Sequence, residues 1–407
     1  MIDQPMRVLI VAENASTRLG GEAILPYHYF RLLRARGIDA HLLVHARMRT
    51  ELLRLFSTHI DQLHFVEDQL LQKLFHRIGK LLPHRVSEAT FGLANQMLTQ
   101  LAQRAIVRRL TTPHCVIHQP IPVSPRFPAL LYDLGAPVIV GPLNGGMEYP
   151  PAFRSAESTW SRTLIAFGRS FTNTVNAIFP GKRRAAVVLV ANERTRTALP
   201  ANLSGRVLVL PENAVDTTQW LQAESAIPDP TRFVFIGRLV DWKALDIVLE
   251  ALLAVPDATL DIIGDGPMLP AWRKLAKRFH LTERVRFLGW KTQPECAQIL
   301  AASCALVLPS LYECGGAVVL EAMAMSRPVI ATAWGGPSDY VDATCGFLVE
   351  PSGRAAMIAG FATAMQRLMQ SPGLCRSMGA SGRQRLQNEF DWNRKMDQIV
   401  AIYESCL

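Results

Sequence analysis

Two carboxylates eight positions apart, Glu313 and Glu321, lie in the run Pro309-Ser310-Leu311-Tyr312-Glu313-Cys314-Gly315-Gly316-Ala317-Val318-Val319-Leu320-Glu321. An apolar stretch from Ala305 to Leu308 feeds a polar turn, a glycine pair follows, and a helical pattern then begins. That order reads as strand, loop and helix, with Glu313 at the carboxyl end of the strand and Glu321 inside the helix. Carboxylates accept hydrogen bonds from vicinal hydroxyls. A helix opening at Gly315, Gly316 and Ala317 turns unpaired amides toward an anion. Sugar and phosphate chemistry are both served by this arrangement; a loop Glu and a solvated helix-face Glu are the plain alternative.

Basic partners stand upstream. Gly237-Arg238-Leu239-Val240-Asp241-Trp242-Lys243 follows an apolar strand pattern at 233–236. Gly237 permits a tight exit, and Arg238 and Lys243 then supply a two-toothed guanidinium and a point charge, suited to a diphosphate. Ile263-Gly264-Asp265-Gly266-Pro267 forms a second tight turn, where Asp265 caps the next helix or faces a ligand. Leu288-Gly289-Trp290 ends a third strand, whose backbone can pair with a nucleobase edge.

The first half offers Leu19-Gly20-Gly21-Glu22 between a strand and a helix, where amides approach an anion closely. This is not GxGxxG, and no P-loop occurs, which weighs against dinucleotide and ATPase readings. His118 closes a strand and reads as structural or functional. Gly141-Pro142-Leu143-Asn144-Gly145-Gly146 is a further glycine-rich exit. Cys314 has no sequence-adjacent His to activate it as a nucleophile. No Asp-x-Asp pair is present to clamp a metal–diphosphate, so Arg238, Lys243 and helix dipoles are expected to stabilise such a leaving group without metal. No G-x-S-x-G elbow is present either.

The elements that position these residues alternate. Strand patterns fall at 7–12, 40–44, 115–118, 137–140, 187–190 and 207–210, with a helix at 24–36 ending on Gly37. The irregular stretch 211–230, with Pro211, Pro228 and Pro230, reads as a connection. Strands then resume at 233–236, 260–263, 285–288, within 299–308 and at 329–331, with helices at 244–253 and 267–279. Two such series predict an α/β protein of two Rossmann-like parallel-sheet domains facing an interdomain cleft.

A length of 407 residues accommodates two domains, and the 49% hydrophobic content predicts well-filled cores. No apolar run reaches the roughly 18–20 residues of a spanning helix. The opening strand at 6–12 is too short for a signal peptide's apolar core, so a cytoplasmic protein is expected. Seven scattered cysteines without a CxxC pair predict reduced thiols and no zinc site. The +9 charge concentrates in two stretches. Residues 70–110 carry seven basic side chains against Glu88, and residues 151–186 carry six against Glu157. Such basic amphipathic surfaces point to peripheral contact with an anionic membrane or an acidic acceptor, or are solvated faces. Nucleic acid is disfavoured, since no binding motif accompanies the charge.

Taken together, these residues resemble the family-4 retaining glycosyltransferases of the GT-B fold. Gly237-Arg238-Leu239 with Lys243, Gly264-Asp265-Gly266-Pro267, Leu288-Gly289-Trp290, and Glu313 followed by Glu321-Ala322-Met323-Ala324 carry the resemblance. Arg327-Pro328-Val329-Ile330-Ala331-Thr332, Gly335-Gly336, Asn213-Ala214-Val215-Asp216 and Phe390-Asp391-Trp392 extend it. It implies an acceptor-side domain over 1–216, a nucleotide-sugar donor domain over 217–387, and a terminal helix over 388–407 returning to the first domain.

By the same resemblance Arg238 and Lys243 hold the donor diphosphate, Glu321 the ribose hydroxyls and Glu313 the transferred sugar. Gly237, Gly264, Gly266, Trp290, Gly315, Gly316 and Ala317 complete the donor site. Gly20 and Gly21 meet the diphosphate from the other domain, and His118 lies near the sugar. The implied activity is metal-independent transfer of a sugar, with retention, from a nucleotide-sugar to a glycan or lipid-linked acceptor hydroxyl. No cofactor is expected, and the setting is surface polysaccharide or glycolipid synthesis in the cytoplasm or at the inner membrane face. A nucleotide-sugar epimerase and a non-catalytic nucleotide-sugar or glycan binder are the alternatives. Two positions depart from the family pattern. Lys243-Ala244 replaces Lys-Gly, and Ala is expected to avoid an unusual backbone angle there. Glu313-Cys314-Gly315-Gly316 replaces Glu-Gly-Phe-Gly, which alters the wall of the sugar pocket.

Overall fold

The computed structural model describes residues 5–19, 21–68, 93–156, 176, 178–217, 220 and 228–407. The chain forms two compact units. One comprises Met1–Gly146, Trp160–Glu212 and Met396–Leu407; the other comprises Met147–Thr159 and Asn213–Lys395.

In the first unit β1 (Arg7–Val11), β2 (Asp39–His45), β3 (Leu63–Val66), β4 (Cys115–Gln119), β5 (Val138–Leu143), β6 (Val187–Val190) and β7 (Arg206–Val209) form one sheet. Its order is β3-β2-β1-β4-β5-β6-β7 and every pairing is parallel. Burial is continuous along β4, β5 and β6, as a parallel sheet covered on both faces requires. This explains why Val187–Val190 is apolar without alternation.

In the second unit β8 (Asp229–Ile236), β9 (Thr259–Ile263), β10 (Val285–Gly289), β11 (Ser303–Leu308), β12 (Val329–Thr332) and β13 (Gly346–Val349) form a parallel sheet ordered β10-β9-β8-β11-β12-β13. Helices Leu245–Ala251, Ala317–Ala324 and Arg354–Gln370 contribute Leu245, Leu249, Leu320, Met323, Met357 and Phe361 to its core. The carboxylate of Asp261, buried in β9, is held by Arg232 of β8 at 2.7 Å and Arg286 of β10 at 2.6 Å, tying three strands together. Residues 147–156, which follow β5 in the chain, pack on this second core through Tyr149 and Phe153.

Each sheet reverses its direction of growth once. In the first unit the chain moves outward from β1 to β3 and restarts at β4 on the other side of β1; in the second it restarts at β11 beside β8. The carboxyl ends of β1 and β4, and of β8 and β11, therefore diverge into a crevice in each unit, the usual ligand position of an open α/β sheet.

Two strands escape the sequence patterns. β3 and β13 are four-residue edge strands sharing one burial pattern, with both central residues half-exposed, so neither shows alternation nor a fully apolar run. Of the basic positions, Lys73, Arg77, Lys80, Arg85, Arg162 and Arg169 lie outside the described residues. Among the described residues no helix is long and apolar enough to cross a membrane, and no disulfide joins the cysteines.

Candidate active site

The second unit's crevice is built from strand exits. β8 ends at Gly237, whose amide donates to the Ile263 carbonyl at 3.0 Å; the Gly264 amide donates in turn to the Gly289 carbonyl at 2.8 Å. The exits of β8, β9 and β10 are thus stitched side by side. A side chain at Gly264, which has a φ of +126°, would put its Cβ 2.0 Å from the Gly237 carbonyl oxygen. At Gly266 it would stand 2.3 Å from the Leu239 oxygen. These two glycines exist so that neighbouring backbones can touch.

Past Gly237, Arg238 points out exposed, and its guanidinium makes no ion pair or hydrogen bond with a described residue. Leu239 returns to the core, and the turn Asp241–Lys243 sends the Lys243 side chain back over Gly237. Lys243 Nζ forms an ion pair with the carboxylate of Glu313. The two side chains are only 13% and 15% exposed, so solvent screens their attraction weakly. Glu313 itself is fixed through the backbone. The Leu311 amide donates to the Trp242 carbonyl, and the Gly336 amide to the Glu313 carbonyl, both at 2.8 Å. Gly335, at φ +71°, leaves room for that approach, since a Cβ there would lie 2.3 Å from the Glu313 oxygen.

Helix Ala317–Ala324 opens from Gly316 at φ +77° with no side-chain cap, leaving its first amides unsatisfied by any side chain. Gly315 is buried against Gly336 and Ala317 is exposed at the mouth. Glu321, part-buried on the same helix, has no hydrogen bond or ion pair with a described residue. Desolvation lifts its carboxyl to about 7. Cys296, on helix Gln293–Ala302, lies close enough for the Glu321 charge to add to burial in pushing its thiol up to about 11. Trp290, just past β10, is 73% exposed.

Two sequence readings are corrected here. Ala244 does adopt an unusual angle: it is buried at φ +47° and ψ +35°, the left-handed conformation, and hands the turn Asp241–Lys243 to helix Leu245–Ala251. The fixed turn between β8 and the core helix dictates that angle, and Ala, with the smallest side chain after Gly, accepts it. Asp265 does not cap a helix. Its Oδ1 accepts from the Gly266 amide at 2.7 Å, and helix Leu269–Arg278 starts three residues later without a side-chain cap.

The remaining expected residues belong to the first unit. Gly20 lies outside the described residues, and Gly21, at φ +56°, faces open space. Glu22 accepts from the Val123 amide at 2.8 Å, linking the exits of β1 and β4; burial nevertheless raises its carboxyl. His118 is fully buried. Its Nε2 lies 2.6 Å from the Gly141 carbonyl, its Nδ1 2.6 Å from the Tyr403 hydroxyl, and Tyr29 packs edge-on at 4.8 Å.

Sequence reasoning missed the segment after β5. Met147, Glu148 and Tyr149 lie against the loops of the second unit: Met147 at Gly335, the Glu148 carbonyl on Trp334 Nε1 at 2.8 Å, and Tyr149 against Tyr312 at 5.6 Å. The clue in the sequence was the flanking glycine exit Gly145-Gly146, but nothing there indicates which sheet the next residues join.

Residues 230–371, which span the whole crevice just described, match the family Glycosyl transferases group 1. The second unit carries a group 1 glycosyltransferase domain. The group 1 domain is similar to curated enzymes of several kinds. Glycogen synthase of Mycobacterium tuberculosis is 28% identical over 197 residues, 47% of this chain and 47% of that protein. The 2-deoxystreptamine glucosyltransferase of Streptomyces kanamyceticus is 28% identical over 55% of this chain and 62% of its own length. N-acetyl-alpha-D-glucosaminyl L-malate synthase of Bacillus anthracis is 34% identical over 47% and 50%. The chain thus spans about half to three-fifths of these relatives.

Solved structures match over both units. Anabaena HepE in complex with UDP superposes with a TM-score of 0.65 at 17% identity, covering 98% of this chain and all of that one. Sucrose-phosphate synthase of Thermosynechococcus elongatus gives 0.62 at 17% identity, covering 98% of each. Together with the two parallel sheets, these matches establish the GT-B fold anticipated from the sequence.

Proposed function

We propose that the protein is a retaining, metal-independent glycosyltransferase that moves a hexose from a nucleotide-sugar to an acceptor hydroxyl on a glycan or lipid-linked saccharide. The observation that carries this reading is the charge arrangement at the β8–β11 crevice: Arg238 exposed without a counter-ion among the described residues, beside the Lys243–Glu313 pair and the uncapped helix at Ala317. A diphosphate suits that surplus of positive charge and amide dipole. Glu321, with no hydrogen-bond or ion-pair partner among the described residues, suits ribose hydroxyls, which donate to it. The similar structures support a nucleotide-sugar, since HepE was solved with UDP and with UDP-glucose.

In this reading the acceptor oxygen bonds to the anomeric carbon on the face from which the diphosphate departs. The carbon–oxygen bond to phosphate breaks, the diphosphate keeps the bonding electrons, and one of its oxygens takes the acceptor's proton. Arg238, Lys243 and the helix amides stabilise the charge that accumulates on the leaving group, the task a metal performs elsewhere. Glu313, held by Lys243, orients the sugar. A role at an anionic membrane face, in polysaccharide or glycolipid assembly, belongs to the same proposal.

The test is a panel of UDP-, GDP- and ADP-sugars, reading nucleoside diphosphate release and heat stability in the presence of EDTA. One nucleotide series is expected to be turned over. Arg238→Ala and Lys243→Ala should each slow release by about 10²-fold or more. Turnover unchanged in both variants overturns the assignment, and turnover abolished by EDTA overturns its metal independence.

A further inference from the structure

Three consecutive residues from the first half of the chain, Met147, Glu148 and Tyr149, are part of the second unit and lie on two adjacent loops of its crevice. The Met147 side chain occupies the space above Gly335, with its Sδ 3.0 Å from where a Cβ would stand. The Glu148 carbonyl accepts from Trp334 Nε1 at 2.8 Å. Tyr149 meets the ring of Tyr312 at 5.6 Å between centroids and a 39° tilt. Tyr312 directly precedes Glu313, and Gly335 and Gly336 are the residues against which the Glu313 backbone is fixed. Everything that Met147–Tyr149 touches in these contacts is therefore within one residue of Glu313 or of its support.

From this geometry we infer that Tyr149 is a specificity-determining residue: with Tyr312 it forms the aromatic wall beside Glu313 and selects the transferred sugar by its apolar face and ring substituents. This rests on the donor-site reading above. After Glu313 the loop offers only Cys314, Gly315 and Gly316, so the aromatic rings flanking Glu313 are Tyr312 and Tyr149, with the Trp334 indole tied by its Nε1 to the Glu148 carbonyl alongside. Both residues are half-buried. Pyranose rings present C–H faces that aromatic rings cover well, while hydroxyl positions are read by carboxylates such as Glu313. Met147 and Glu148 act as positioning residues, since they fix the backbone that carries Tyr149.

The experiment uses the full chain and whichever of UDP, GDP and ADP it binds most tightly, together with the glucose and N-acetylglucosamine conjugates of that nucleotide. Affinities are measured by calorimetry. Tyr149→Ala is expected to keep the Kd for the bare diphosphate within about twofold, while shifting the ratio of the two conjugates' affinities by about tenfold, the size of effect one removed apolar group has. Tyr149→Phe, which keeps the ring, should keep the native ratio. If Tyr149→Ala does not fold, Tyr149→Leu fills the space without a ring and carries the same comparison. An unchanged ratio in a folded ringless variant overturns the inference, as does an equal loss for the bare diphosphate and both conjugates. A native chain that binds none of the three diphosphates overturns the donor-site reading itself, and this inference with it.

Discussion

Glu313 and Glu321 occupy one loop–helix unit yet meet opposite electrostatic surroundings. Glu313 is neutralised by Lys243, whereas Glu321 has no partner among the described residues, and desolvation lifts its carboxyl to about 7. A carboxyl whose folded pKa exceeds its unfolded value of roughly 4.3 holds a proton in the folded state that the unfolded chain has released. Its contribution to stability is present at low pH and is lost as pH rises through about 7. Denaturant midpoints between pH 5 and 8 should therefore fall more steeply with pH in the native chain than in Glu321→Gln, which cannot titrate; parallel profiles would exclude the shift. Ionisation has the reverse effect on a hydroxyl ligand, because a carboxylate accepts more strongly than a carboxylic acid. Nucleoside diphosphate affinity is accordingly expected to rise more steeply between pH 6 and 8 in the native chain than in Glu321→Gln, where only the ligand's terminal phosphate still ionises.

At the scale of elements, the turn between β8 and helix Leu245–Ala251 holds a residual strain. Ala244 sits at φ +47°, where a Cβ costs about 1 kcal/mol or more. Ala244→Gly relieves that cost and gives back part of it through the freer unfolded chain, so a net gain of roughly 0.5 kcal/mol is expected in urea unfolding. A loss of stability would argue against the left-handed angle. Gly264 is the converse case. Its missing Cβ is what allows β8 and β9 to exit side by side, and Gly264→Ala should cost about 3 kcal/mol or leave the chain unfolded, as read by circular dichroism and midpoint. The legible elements were those whose burial follows a simple rule: Val187–Val190 is apolar throughout, and Cys115–Gln119 lies fully buried. The edge strands Leu63–Val66 and Gly346–Val349 follow neither, since the two central residues of each are only partly buried.

For the whole molecule, each sheet has its own reversal point, and Arg238, Lys243, Glu313 and Glu321, the residues proposed to hold the donor there, belong to the second one. A nucleoside diphosphate at about 100 times its Kd should stabilise the chain by about 2.7 kcal/mol. Amide exchange is expected to slow at residues 237–244 and 311–321 on adding that ligand, while the His118–Tyr403 cluster, already sealed, stays unchanged. Protection confined to the first unit would relocate the site.

The residue types at the strand exits were set by the sequence alone, because a glycine where backbones must touch, an Arg and Lys after β8 and a Glu after β11 are local requirements of an exit loop. The two parallel series were legible for the same reason: periodicity and turn chemistry act over neighbouring positions. Tertiary structure alone decided what depends on residues far apart in the chain. It paired Lys243 with Glu313, left Glu321 without a partner among the described residues, sealed His118 between Gly141 and Tyr403, and turned Ala244 left-handed. It also assigned Met147–Tyr149 to the second unit, a choice made by packing against Tyr312, Trp334 and Gly335 and invisible to any pattern of neighbouring residues.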